Sequence, residues 1–166
     1  EIKARNPIGL ILSGSSSSVG DADAPQVDPE IFKLGVPILG VGYGFQVASK
    51  FFGATVTTTE TRECGPDEMT LGEEGLKSPL FEGMSKNSQV WASRGDQTAQ
   101  TTDDFVTLAS TATCPNAAVQ LKSIPFYGVQ FHPEVERTTE GARLLTNFVV
   151  NICKSSRSWT PQRFVA

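Results

Sequence analysis

One segment constrains this chain more than any other: Val36-Pro37-Ile38-Leu39-Gly40-Val41-Gly42-Tyr43-Gly44-Phe45-Gln46. Its apolar run predicts a buried strand, its alternating glycines a tight reversal, and its last residues the start of a helix. Phe45, Val47, Ala48, Phe51 and Phe52 recur at helical spacing, and Gly53 supplies the stop. A strand delivered straight into a helix implies right-handed βαβ units around a parallel sheet. Such an elbow also exposes its apex side chain beside helix N-terminal N–H groups, which favour a thiolate or a developing oxyanion. The apex here is Gly42, which has no side chain. A glycine turn without chemistry fits the same residues. Phosphate cradling fits less well, because the dinucleotide pattern G-x-G-x-x-G meets Phe45 at its third glycine and no Gly-Lys-Ser/Thr is present.

The flanking segments extend this organisation. Ile8 to Leu12 is a short apolar run, predicted as a strand buried on both faces, and Ser13 to Ser18 is a loop. That loop could present backbone N–H groups to an oxyanion, or be a merely solvated serine run. Asp28-Pro29-Glu30 opens a short helix through Leu34, with Asp as N-cap and Pro at the first helical position. Short strands are expected at Ala54–Thr61 and around Met69–Leu71, Gln89–Ala92, Phe105–Ala109 and Ala117–Leu121. Phe126 to Phe131 reads as a core strand. Thr138 to Cys153 is the longest helix candidate, with apolar positions 142, 144, 145, 148, 149 and 152 on one face. The expected fold is α/β: three layers, a mostly parallel central sheet with helices on both faces, and a small antiparallel region.

Composition narrows the function classes. A chain of 166 residues suits one domain with one core. Its net charge of −4, with no Lys/Arg cluster, argues against a nucleic-acid footprint. No apolar run reaches the roughly 20 residues of a membrane span. The chain shows no signal peptide, and its three cysteines, Cys64, Cys114 and Cys153, form no CxxC pair. This fits reduced thiols and a cytoplasmic location. With a single histidine, no metal-ligand pattern arises. Arg94-Gly95-Asp96 matches an adhesion tripeptide, which has little meaning without secretion.

The histidine is His132, in Gln130-Phe131-His132-Pro133-Glu134. A strand running into Pro133 sets His132 and Glu134 at its carboxyl end, where open α/β sheets place their sites. A carboxylate on one ring nitrogen fixes the tautomer and leaves the other free to take a proton. A structural histidine accounts for the same residues.

Together these segments resemble the class I glutamine amidotransferases, most closely the glutaminase domains of GMP synthases. The resemblance rests on Leu10-Ile11-Leu12-Ser13-Gly14 with Ser17-Ser18-Val19, on Asp23-Ala24-Pro25-Gln26-Val27-Asp28-Pro29-Glu30-Ile31-Phe32, and on Pro37-Ile38-Leu39-Gly40 with Tyr43-Gly44. It also rests on Arg62-Glu63, Gly65-Pro66 and Tyr127 through Glu134. It implies a flavodoxin-like glutaminase domain over 1–153, and a linker or tail over 154–166, opened by Trp159-Thr160-Pro161, toward a synthetase domain. It also implies an amino-terminal strand-helix-strand of about 40 residues ahead of Ile8. Without that unit, exposed sheet edge leads us to expect self-association or a partner.

The resemblance assigns roles as well. A cysteine at the elbow would attack the amide of glutamine, a histidine like His132 would activate it, and a glutamate like Glu134 would orient the histidine. Backbone N–H groups near Gly14 and Tyr43 would hold the oxyanion. Gln46 and Asp96 would serve the substrate pocket. This domain would need no cofactor; ATP and magnesium would belong to the synthetase domain, which aminates adenylated XMP.

The chain departs from that pattern around one pocket. Gly42 occupies the cysteine position. Ser15 and Ser16 replace a glycine and a proline, Arg94 replaces a histidine in a Ser-His-Gly-Asp loop, and Arg137-Thr138-Thr139-Glu140 replaces a His/Glu-bearing segment. Cys64 and the serines near Ser15 are poorly placed to substitute for the nucleophile. Losing the nucleophile of a comparable triad costs about 10⁶ in kcat. The expectation is a chain that does not hydrolyse glutamine through a thioester. The alternatives are an inactive domain that binds a ligand or partner, and a hydrolase using His132 with another nucleophile.

Overall fold

A computed structural model describes residues 1–156, without the side chains of residues 60–62. The predicted Trp159-Thr160-Pro161 tail lies outside the described residues. Among the described residues, seven strands form one sheet: β1 (Leu10–Leu12), β2 (Ile38–Val41), β3 (Thr55–Leu71), β4 (Asn87–Gln100), β5 (Phe105–Ser110), β6 (Ala118–Leu121) and β7 (Phe126–Val129). Their spatial order is β1-β2-β7-β6-β5-β3-β4. The α-helices among the described residues are α1 (Tyr43–Phe51), α2 (Glu73–Lys77) and α3 (Gly141–Thr146).

Alternation along the central strands sorts the core onto two faces. On β2, Leu39 and Val41 join Val129 of β7 with Leu144 and Phe148, under α3 and its continuation. Ile38 joins Phe126 with Phe45 and Ala48 of α1, and with Ile31 and Phe32 of the 3₁₀ turn Pro29–Lys33. Helical elements therefore cover both faces, giving the expected three-layer α/β fold. Gly40 and Gly128 make this packing possible. A Cβ on Gly128 would stand 2.2 Å from the Phe45 ring, and one on Gly40 2.8 Å from the Phe45 backbone.

The sheet is mixed. The pairings β1–β2 and β2–β7 are parallel, while β7–β6, β6–β5, β5–β3 and β3–β4 are antiparallel. The antiparallel part is larger than its sequence signal. The strands expected near residues 69–71 and 89–92 are pieces of one long ribbon, β3 against β4, with a register shift between Thr58 and Glu63. On β4 every second residue from Val90 to Thr98 is buried, but three of those five are Arg94, Asp96 and Thr98. A polar inner face leaves no apolar alternation to read.

Two further expectations change. The first strand is not buried on both faces: β1 is a sheet edge, with Ile8 57% and Ile11 49% exposed. The longest helix starts at Gly141, not Thr138, and continues as a π-helical segment from Asn147 to Ile152. Gly141 packs so tightly on the Pro133 carbonyl that a Cβ would lie 2.0 Å from its oxygen. Thr138 is committed elsewhere, to a hydrogen bond with the His132 carbonyl. The short helix expected after Asp28 is present as a 3₁₀ turn, with the Asp28 carboxylate accepting from the Glu30 N–H as predicted for a cap.

Candidate functional site

The cleft lies where the carboxyl ends of β1, β2 and β7 meet β4. Its cavity is about 280 Å³ and is lined by Gly14, Gly42, Tyr43, Gln46, Asp96 and His132 among others. That is near the lower end of the ~300–1,000 Å³ usual for ligand clefts, a size for a small molecule.

Gly42 occupies the turn between β2 and α1 with φ 53° and ψ −113°. An L-residue held there is strained by about 1–3 kcal/mol, and glycine is not. Its N–H donates to the Val129 carbonyl at 2.9 Å, and its carbonyl accepts from Phe45 and Gln46, so the turn is pinned to β7 and to the helix. A Cβ placed on Gly42 would meet nothing closer than His132, at 3.8 Å from Cε1 and 3.9 Å from Nε2. A sulfur one bond further on comes within hydrogen-bonding reach of that nitrogen. The elbow thus leaves free space, bounded by His132, in front of Gly42.

His132 Nδ1 lies 2.8 Å from Glu134 Oε1. The carboxylate can only accept, so Nδ1 carries a proton, and in the neutral ring Nε2, on the elbow side, is the acceptor. Glu134 sits behind the ring, its side chain 52% exposed, and does not line the cavity. A Cβ at Gly14 would stand 3.6 Å from His132 Cε1, which brings the first loop against the same ring. The first N–H groups of α1, at Tyr43 and Gly44, have no carbonyl within the helix to bond, as at every helix start. Of these, Tyr43 lines the cleft together with Gly14. The Tyr43 hydroxyl points away and donates to the Pro25 carbonyl. Burial, and secondarily the charge of Asp21, push its ionisation above the ordinary range.

Gln46 and Asp96 are both buried and are tied to each other: Gln46 Nε2 donates to the Asp96 carbonyl at 2.8 Å. The Asp96 carboxylate accepts from the Ser18 hydroxyl and the Val19 N–H. Asp96 therefore anchors the end of the serine loop, a role with no sequence signal. Arg94, which the sequence marks only as a departure, is almost wholly buried. It pairs with Glu63 across the ribbon, lies 3.8 Å from Asp67 and donates to Thr113. Of the two rescue candidates, the serine loop lines the cleft and Cys64 does not. Cys64 is exposed, pairs with Ser93 in the ribbon and does not line the cleft. The Ser15 hydroxyl is engaged by the Ser17 N–H. Among the described residues, no group of three or more His, Cys, Asp or Glu could hold a metal, and no helix is long and apolar enough to cross a membrane.

The family model described as "Glutamine amidotransferase class-I" matches residues 1–152. The chain is 42% identical over 164 residues to the GMP synthase [glutamine-hydrolyzing] of Wolinella succinogenes, covering 98% of this chain and 32% of that protein. It is 41% identical over 165 residues to the enzyme of the same name from Acetivibrio thermocellus, covering 99% and 32%. The chain thus spans about a third of the length of these relatives. Among solved structures, a putative GMP synthase subunit from Thermoplasma acidophilum aligns with a TM-score of 0.72 at 32% identity, covering 89% of this chain and 73% of that one.

Proposed function

This chain belongs to the class I glutamine amidotransferase family, and on that premise we propose that it is a GMP-synthase-type glutaminase domain that keeps its substrate cleft and has lost thioester catalysis. One observation carries the reading. The Gly42 elbow holds a nucleophile-type backbone, and a side chain there would project toward a histidine paired with a carboxylate.

In such a site His132 Nε2 would take the thiol proton and return it to the departing ammonia. Glu134 would hold the ring, and the Tyr43 and Gly14 N–H groups would stabilise the oxyanion. Here those groups surround an elbow with no thiol, so glutamine would bind and its amide would stay intact. Gln46 and Asp96 frame the cleft and the loop above it. In the parent pathway the domain would serve a cytoplasmic synthetase domain, in cis or trans, that uses ATP and magnesium. The tail from residue 154 would be the link to it.

The test is Gly42→Cys with a glutaminase assay, alongside calorimetry of the unaltered chain with glutamine. We expect no ammonia from the unaltered chain, binding at millimolar glutamine or below, and a rise in ammonia release of about 10⁴-fold or more in the variant. A folded but silent Gly42→Cys variant, with no glutamine binding in either protein, would overturn this reading. It would favour the second one, an amidotransferase-like domain that docks a different ligand or a partner.

A further inference from the structure

The curled sheet closes on itself at His132. β7 and β4 are not neighbours in the sheet, yet the His132 N–H donates to the Trp91 carbonyl at 3.0 Å. The Trp91 N–H donates to the Thr138 hydroxyl at 3.0 Å, and that hydroxyl donates to the His132 carbonyl at 2.6 Å. One link between His132 and Trp91 is thus direct and the other passes through the Thr138 side chain.

We propose that Thr138 is a positioning residue for His132, setting the tilt that points Nε2 at the elbow and Nδ1 at Glu134. Its geometry suits the task. Thr138 is 5% exposed, and its N–H closes a turn onto the Val135 carbonyl. Residues on either side of it are stitched to β4: the Thr139 N–H to the Gln89 carbonyl, and Gln89 Nε2 to the Arg137 carbonyl. The segment from His132 to Thr138 is thus a closed loop whose two ends meet at one hydroxyl. The hydroxyl must both accept and donate, so serine can replace it and isosteric valine cannot. Valine also leaves the Trp91 N–H and the His132 carbonyl unpaired in a site half shielded from water.

The inference rests on reading His132 as the site's base, but its first test does not need catalysis. His132 is the one histidine in the sequence, so its ring signals in a labelled sample are unambiguous. In the unaltered chain and in Thr138→Ser we expect a ring N–H proton shifted downfield by Glu134, and a Trp91 amide protected at least 100-fold from exchange. Thr138→Val, folded by circular dichroism, should lose or broaden the ring signal. In the Gly42→Cys background, Thr138→Val should lower kcat ten- to a hundredfold with KM within twofold, the size of effect that small misplacements produce, and Thr138→Ser should stay within threefold. A folded Thr138→Val with an unchanged ring signal overturns the proposal. So does a Trp91 amide in the unaltered chain that exchanges freely, a result that needs no variant to fold. If Gly42→Cys is silent while the ring signal responds as expected, the positioning role stands and the glutaminase reading falls.

Discussion

The parallel end of the sheet and the antiparallel ribbon face the same cleft but are built on opposite principles. β1, β2 and β7 are packed by aliphatic and aromatic side chains, and every residue of β2 is buried. The ribbon presents Arg94, Asp96 and Thr98 on its inner face and holds them by pairing: Arg94 with Glu63, Asp96 with Ser18, Thr98 with Gln130 and Ser49. The parallel end supplies the elbow and the histidine, which need a rigid frame. The ribbon supplies the wall and the loop anchor, where polar groups can be exchanged one pair at a time.

This contrast makes steric change at the parallel end the most damaging. Gly44→Ala would set a Cβ 2.2 Å from the Leu12 carbonyl oxygen, where backbone cannot yield. We expect a loss of about 3 kcal/mol or more, the upper range for overpacking. At the end of the ribbon, Gly72→Ala meets the Leu108 carbonyl at an ordinary 3.6 Å, with φ −75° already suited to alanine. There the change should stay within about 0.5 kcal/mol. Urea titrations of both variants check the pair, and equal losses would erase the distinction.

The same contrast decides what can be read from sequence. The elbow, the flanking strand and helix, and the His132–Glu134 pair are legible because each depends on local pattern: an apolar run, glycines where side chains cannot fit, two residues around a proline. Gly40, Gly42 and Gly44 all mark real constraints, two by close approach and one by positive φ. The ribbon reads as fragments because its inward period of two is carried by polar residues. Nothing local in the sequence marks Arg94 as buried; its pairing with Glu63, about thirty residues upstream, accounts for it. Ser18 on Asp96 and Thr138 on His132 are likewise side-chain contacts between distant or looped segments, and no periodicity encodes them.

Breaking one ribbon pair gives the next effect in size. Arg94→Met leaves Glu63 and Asp67 facing each other without their cation. Loss of one partner of a fully buried pair costs about 3–5 kcal/mol. The two carboxylates keep 29% and 19% of their side-chain surface in water, so we expect about 1–3 kcal/mol here. Adding Glu63→Gln should recover part of it, and a double-mutant cycle measures the coupling. A coupling near zero would mean that the ribbon is not held by pairs.

The smallest effect concerns the ribbon's influence on its neighbour Cys114. Burial pushes this thiol's ionisation up, while the Arg94 guanidinium pulls it partly back. Its sulfur accepts from Gln130 Nε2 at 3.1 Å, next to the strand end that carries His132. A raised folded value means that the folded chain holds the thiol proton longer than the unfolded chain does. Stability from this group is therefore constant below the unfolded thiol range, near about pH 8.5, and falls as pH rises from there toward the folded value. Native alkylation at pH 8 should modify exposed Cys64 well before Cys114. In Arg94→Met the downward pull is gone, so the folded value rises and the alkaline loss of stability runs to higher pH. Melting curves from pH 7 to 10, compared between Cys114→Ala, Arg94→Met and the unaltered chain, read this directly. An identical alkaline slope in Cys114→Ala would assign the loss to other groups and uncouple the thiol from the ribbon.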